Sequence, residues 1–105
     1  MYLKTMLSSV LTNQTSAVVP LSDTDKFPNT TFQATIIGTG AVSATVTIKG
    51  SVDGTNFVTV GSALSLTGTP SDSQLLTTTN AYAYVTATVA SILGTGAAVT
   101  VALCK

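Results

Sequence analysis

The sequence lacks the residue types on which most enzyme chemistry depends. Its 105 residues contain four lysines and four aspartates, but no histidine, glutamate, arginine or tryptophan. Without histidine, neither a Ser–His–Asp triad nor a Cys–His pair can be built. Cys104 is the single cysteine, which excludes a disulfide framework and leaves zinc without a set of ligands. We therefore expect a protein that is not an enzyme and that has no catalytic residues, no cofactor and no metal site.

Charge is scarce along the whole chain. Only 8% of the residues are charged and 45% are hydrophobic, whereas a soluble surface usually carries about 25–35% charged residues. The formal net charge of zero gives no steering toward phosphate or anionic lipid, so we expect neither a nucleic acid nor a membrane as partner. Two interpretations remain open, a viral or extracellular β domain with a Thr-rich surface and a subunit partly buried in an assembly.

Secondary structure is the clearest signal in the sequence. Apolar and polar residues alternate over 32–36, 42–49, 83–89 and 99–104, which is the period of a half-buried β-strand. No segment shows the 3.6-residue period of a helix. The sequence therefore predicts an all-β fold, a single antiparallel β-sandwich of jelly-roll or immunoglobulin-like topology with about eight short strands. The strands are expected near 16–20, 30–38, 41–50, 56–61, 63–67, 73–78, 81–91 and 96–104.

Glycine-containing segments separate the alternating runs. Gly38-Thr39-Gly40 and Gly94-Thr95-Gly96 are each interpreted as a hairpin turn, because glycine reaches the positive φ angles that tight turns need. Asp53-Gly54 is typical of a two-residue hairpin. The two Gly-Thr-Gly segments are similar in sequence, and we interpret them as two hairpins of the same type in preference to an internal duplication.

The N-terminal residues do not alternate and are predicted to form an extended arm over 1–15, with the sandwich domain over 16–105. Arms of this kind can lie on a neighbouring subunit. Tyr82 and Tyr84 are predicted to share one strand face, where tyrosine can anchor an interface or bind a sugar ring. The candidate interface residues are Met1, Tyr2, Leu3, Leu7, Val10, Leu11, Tyr82 and Tyr84. Asp23, Asp25 and Asn29 could together offer oxygens to Ca²⁺, but a solvated loop is the simpler interpretation.

One stretch resembles a known group of proteins. Residues 45–60 read Thr-Val-Thr-Ile-Lys-Gly-Ser-Val-Asp-Gly-Thr-Asn-Phe-Val-Thr-Val. This is similar to a pattern in small all-β virion proteins of tailed bacteriophages, in which a strand is followed by Gly-Ser-x-Asp-Gly-Thr-Asn, an aromatic residue and a second strand. The segment 82–87 and the last Gly-Thr-Gly also fit that layout. The chain has Phe57 and Thr86 where many members have Trp and Arg.

The resemblance implies a non-enzymatic structural component of a phage particle. Small single-domain members commonly act as capsid decoration, or cement, proteins, whose β-sandwich lies on the outer surface of the capsid as a homo-oligomer, often a dimer or trimer. Their terminal arms contact the major capsid protein or another virion subunit. Two alternatives stay open: a tail, neck or fibre component of the same particle, and a carbohydrate-binding module.

Overall fold

The computed structural model describes residues 3–20, 30–78 and 82–104. In this part of the chain all regular elements are β-strands, which form one antiparallel sheet and confirm the predicted all-β class. The eight strands are β1 (Leu3–Val10), β2 (Gln14–Thr15), β3 (Val19–Pro20), β4 (Thr30–Ser51), β5 (Val58–Thr59), β6 (Leu64–Gly68), β7 (Ser71–Thr78) and β8 (Tyr84–Cys104).

Two long strands run through the centre of the sheet. β4 has 22 residues and β8 has 21, and they pair antiparallel from Thr31 opposite Cys104 to Ser51 opposite Tyr84. An extended strand of this length spans about 70 Å. The longest dimension of the molecule is 41 Å, so both strands must bend. The shifts in their pairing register lie between Ile37 and Thr45 of β4, which locates the bend near the middle of each strand.

The bend is formed by the two Gly-Thr-Gly segments, which lie side by side with Thr39 opposite Thr95. Gly40, Gly94 and Gly96 have φ angles of 79°, 119° and 65°. The prediction that these segments are hairpin turns is therefore wrong. Each of them redirects a strand that continues beyond it. In β4 the even-numbered residues are buried on both sides of the bend, so the same face of the sheet stays inside.

The bend divides the sheet into two layers. The first layer contains β1, residues 98–104 of β8, residues 30–37 of β4, and β7. The second layer contains β2 and β3, then residues 84–93 of β8, residues 42–51 of β4, and finally β5 and β6. The layers of the sandwich are thus joined by two continuous strands, and the strands predicted over 30–38 and 41–50 are the two halves of β4.

One apolar core fills the space between the layers. Phe32, Ile36 and Val101 of the first layer and Val46 and Val85 of the second layer have no exposed surface, and all belong to one cluster. Small side chains complete it. Ala34, Ala44 and Ala87 are buried in it. Burial of these faces provides the main driving force for folding the sheet onto itself.

β1 belongs to the sandwich, which corrects the arm predicted over residues 1–15. It pairs with β8 from Leu3 opposite Cys104 to Val10 opposite Val99, and its Leu7 and Val10 side chains join the core. The pairing register shifts twice within β1, and Ser9 has a φ of 48°. These irregularities explain why the strand does not alternate in sequence, since each bulge changes which residues face inward.

Candidate functional site

The loop between β4 and β5 contains the Ser-x-Asp-Gly-Thr-Asn spacing of residues 51–56, and it is held by hydrogen bonds from its own side chains. The Asp53 carboxylate accepts hydrogen bonds from the backbone N–H of Thr55 (2.8 Å) and of Asn56 (2.9 Å), and from Asn56 Nδ2 (2.9 Å). Ser51 Oγ donates to Asp53 Oδ1 at 2.7 Å and accepts from the N–H groups of Asp53 and Gly54. The spacing Ser-x-Asp-Gly-Thr-Asn therefore has a structural explanation in this loop.

The two aspartates in the described part of the chain are stabilised in their charged form. The backbone N–H groups of Asn56 and Thr55 hold the pKa of Asp53 far below its usual value, with help from the Asn56 and Ser51 side chains. The backbone N–H of Thr67 lowers the pKa of Asp72 in the same way. Such carboxylates are poor proton donors or acceptors near neutral pH, which fits a role in holding loops together.

Tyr82 and Tyr84 each pack against a glycine of their own chain. A Cβ atom on Gly50 would lie 2.5 Å from the Tyr82 ring, and one on Gly54 would lie 3.3 Å from the Tyr84 ring. Tyr82 also packs against the core, and both side chains are half-buried. Part of each ring is therefore buried within the molecule. This reduces the ring surface that is available for the interface or sugar site predicted from sequence.

The structure separates the other candidate interface residues. Leu7 and Val10 are buried in the core, so the prediction that they contact another subunit is wrong. Leu11 is 65% exposed and remains a candidate. Leu3 lies in β1 opposite Cys104. The other two, Met1 and Tyr2, lie outside the described residues.

Three exposed apolar side chains, those of Leu11, Ile37 and Leu93, lie around the bend. Ile37 and Leu93, which immediately precede Gly38 and Gly94, are 55% and 66% exposed. On the first-layer side of the bend, Ile37 lies opposite Ala98, and Leu11 follows Val10, which lies opposite Val99. Leu93 lies opposite Ser43 on the second-layer side. We call Leu11, Ile37 and Leu93 the bend patch. Ile37 and Leu93 were not predicted from the sequence as interface residues, because both precede segments predicted to be hairpin turns, where an exposed apolar side chain carries no particular meaning.

The surroundings of the bend patch carry almost no charge. The sequence has no charged residue over 5–22, 27–48 or 73–104, and the described charged side chains are Lys4, Lys49, Asp53 and Asp72. Of these, only Asp72 pairs near the bend, opposite Ile36, and its carboxylate is engaged by the N–H groups of Thr67 and Ser73. An apolar patch without a charged rim is suited to burial against another protein.

The cavities of the molecule are small or open. A shallow hollow of about 80 Å³ on the outside of the first layer is lined by Thr31, Gln33, Leu75, Ala102, Leu103 and Cys104. A larger groove of about 410 Å³ lies between β1 and β3 and is lined by Lys4, Thr5, Met6 and residues 17–20. Neither brings together the acid and base groups that catalysis needs.

The described part of the chain has neither a cluster of metal ligands nor a helix that could span a membrane. No three His, Cys, Asp or Glu side chains within 3–20, 30–78 and 82–104 come together in a way that could hold a metal ion. The calcium ligands considered from sequence, Asp23, Asp25 and Asn29, lie outside these ranges. No described helix has the length and apolar character needed to span a membrane.

Comparison of the chain with known proteins gives no relative to guide the assignment. No protein-family model, curated protein or solved structure matches it. The bend patch and the charge-poor surface around it are therefore the features from which a function can be argued.

Proposed function

We propose that this protein is a non-enzymatic structural component of a phage particle, a capsid decoration protein that binds the outer surface of the assembled shell and stabilises it. The observation that carries the proposal is the bend patch, three exposed apolar side chains at the bend of the sandwich on a surface almost free of charge. The resemblance of residues 45–60 to phage virion proteins supplies the kind of particle.

The charge-poor surface supports repeated contacts in an assembly. Four lysines and four aspartates share 5603 Å² of accessible surface, so little charge repulsion opposes close packing of many copies. A patch of three side chains binds weakly when alone. Repeated over a lattice, such contacts add up, and they stabilise the shell because they are made only with the assembled state.

The position of the patch suggests how the protein would sit on a shell. The bend patch lies where β4 and β8 turn, and Lys49 and Asp53 lie at the other end of the second layer. Contact through the bend leaves the charged residues at that end exposed to solvent. The shell contact predicted for an N-terminal arm is thus reassigned to Leu11 and its neighbours at the bend.

The first experiment is the copy number of this chain relative to the major shell protein, measured by quantitative mass spectrometry of purified particles. A ratio of one per shell subunit, or a simple fraction of it, is expected for decoration of the whole lattice. About a dozen copies would reassign the protein to the tail, neck or fibre. Absence from particles would overturn the virion assignment and favour a carbohydrate-binding module.

A second experiment tests the bend patch itself. Shells that lack this protein are mixed with purified wild-type chain or with the variant Leu93→Lys, and bound protein is measured after sedimentation. We expect the variant to lose most of its binding, because a lysine in the patch must be desolvated on contact. Val52→Lys is the matched control, since Val52 is 76% exposed but lies in the loop after β4. Equal binding of all three proteins would contradict the proposed contact.

A further inference from the structure

The sheet has two outer edges, and they differ in regularity. The edge formed by β1, β2 and β3 is interrupted by two register shifts in β1, contains Lys4, and ends at Pro20. The other edge includes β7, whose eight residues pair one-to-one with β4 without any shift. Bulges, prolines and lysines are devices by which proteins prevent a sheet edge from pairing with another chain. The first edge has such devices.

The central part of β7 has none of them. Residues 73–77 read Ser-Gln-Leu-Leu-Thr, with no charge, proline or glycine. Hydroxyl pairs on one side, Thr77 with Thr31 at 3.1 Å and Ser73 with Thr35 at 2.9 Å, hold this segment in register with β4. Among the described strands, none pairs with β7 on its other side. The segment therefore presents a straight row of backbone donors and acceptors.

We propose that residues 73–77 pair antiparallel with the same residues of a second copy, about a twofold axis at Leu75. An axis perpendicular to the sheet keeps the outer faces of both copies on one side and places each Leu75 opposite its copy. The Leu75 side chain is 64% exposed in the single chain, so the pairing covers an apolar side chain as well as backbone groups. In the same register Gln74 lies opposite Leu76, and Ser73 opposite Thr77.

The difference in regularity between the two edges and the absence of charge in residues 73–77 favour a second copy of this chain as the partner. Pairing of β7 with the irregular edge of another molecule would give an open filament, whereas pairing of β7 with itself closes after two copies. No charged side chain lies within 73–77, so none must lose its hydration. Five residues from each copy make a small contact, compared with about 20–30 residues a side in a standard interface, so the dimer is expected to be weak and concentration-dependent.

Analytical ultracentrifugation of the purified chain over a concentration series tests this dimer without any shell present. The wild type is expected to shift from monomer to dimer as its concentration rises. Leu75→Lys should raise the dissociation constant at least about tenfold, because two lysines would then lie directly opposite each other. Val52→Lys, which changes an exposed apolar side chain in the loop after β4, is the matched control and should dimerise like the wild type.

A mixture of charge variants makes the test specific to the twofold axis. Leu75→Lys and Leu75→Glu should each be monomeric alone and should form a heterodimer when mixed, since opposite charges then face each other across the axis. Circular dichroism of each variant verifies that the sheet is intact. A wild-type chain that stays monomeric up to about 1 mM would overturn the proposal. So would unchanged dimerisation of Leu75→Lys, or an equal loss of dimerisation in Val52→Lys.

Because these measurements use the free protein, their outcome is independent of the proposed capsid role. A chain that dimerises but is absent from particles would keep the dimer and refute the decoration function. A chain that is monomeric but present at one copy per shell subunit would support the decoration function and refute the dimer.

Discussion

At the scale of single residues, the loop after β4 shows how a short side chain can determine local structure. Asp53 satisfies the N–H groups of Thr55 and Asn56, while Ser51 satisfies those of Asp53 and Gly54. Asx and Ser turns of this kind are favoured wherever a chain must reverse direction next to a strand. The spacing Ser-x-Asp-Gly-Thr-Asn is thus explained by the hydrogen bonds that close this loop.

The pH dependence of stability follows from Asp53. Its pKa in the folded state lies below the unfolded value of 3.8, so the stabilisation is complete above about pH 5 and is lost as the pH falls through the folded pKa. Asp53→Asn keeps an acceptor but removes the charge. We expect the variant to have a lower Tm than the wild type at neutral pH, and the difference to shrink on acidification. Thermal melts between about pH 7 and pH 2 measure it.

Thr55→Ala is the control for this series, because Thr55 contributes its backbone N–H and not its side chain to the bond with Asp53. Its Tm should follow that of the wild type at every pH. If the Tm of Asp53→Asn fell in acid as steeply as that of the wild type, the charge of Asp53 would not be the cause of the pH dependence.

At the scale of elements, the sequence predicted local features well and pairing poorly. Alternation over 42–49 identified the second half of β4, because one face of that segment is buried and the other is partly exposed. β1 was missed because its bulges, with Ser9 at positive φ, hide the alternation. A Gly-Thr-Gly segment has the same local preferences in a hairpin and in a bend. Whether a hairpin or a bend forms depends on strand pairing. In a hairpin the two flanking segments pair with each other, whereas here both pair with the same long strand, and this cannot be read from local sequence.

Exposure could not be predicted for the same reason. Leu7 and Leu11 are both leucines near the N-terminus, yet Leu7 lies within β1 and is buried, whereas Leu11 follows the end of β1 and is 65% exposed. Leu7 and Val10, the two candidate interface residues that are buried, both lie at the register shifts of β1.

The bend between the layers should depend on Gly94 more than on Gly96. A Cβ on Gly94 would lie 2.6 Å from the backbone oxygen of Ala41, and its φ of 119° is one that side chains rarely adopt. A Cβ on Gly96 would meet no atom closer than 4.0 Å, at a φ of 65°. We expect Gly94→Ala to lower the free energy of unfolding by about 3 kcal/mol. Gly96→Ala should lower it by about 1 kcal/mol.

Urea denaturation of the two glycine variants measures this difference. Because both substitutions add the same methyl group, their comparison removes the general effect of alanine on the unfolded chain. Equal losses of unfolding free energy in the two variants would contradict the close approach of Gly94 to Ala41. A larger loss in Gly96→Ala would show that the tight contact is at Gly96 and not at Gly94.

At the scale of the whole molecule, the two layers share their central strands, and this determines how the protein can unfold. In a sandwich made of two separate sheets, one sheet can in principle loosen while the other persists. Here β4 and β8 contribute residues to both layers, and the core contains side chains from each. Opening the first layer removes the surface against which the second is packed. Most contacts also join residues far apart in sequence, which favours slow, cooperative folding.

Cooperativity between the layers can be tested with Ile36→Val. Ile36 is fully buried in the first layer, and removing one methyl group should lower the free energy of unfolding by about 1 kcal/mol. If the layers unfold together, the slowest amide hydrogens should exchange about fivefold faster in both, over 42–48 and 85–89 as much as over 32–36 and 99–103. Hydrogen exchange followed by NMR resolves the two sets. Acceleration confined to the first layer would show that the bend uncouples the halves of β4, and that the shared strands do not make the sandwich a single cooperative unit.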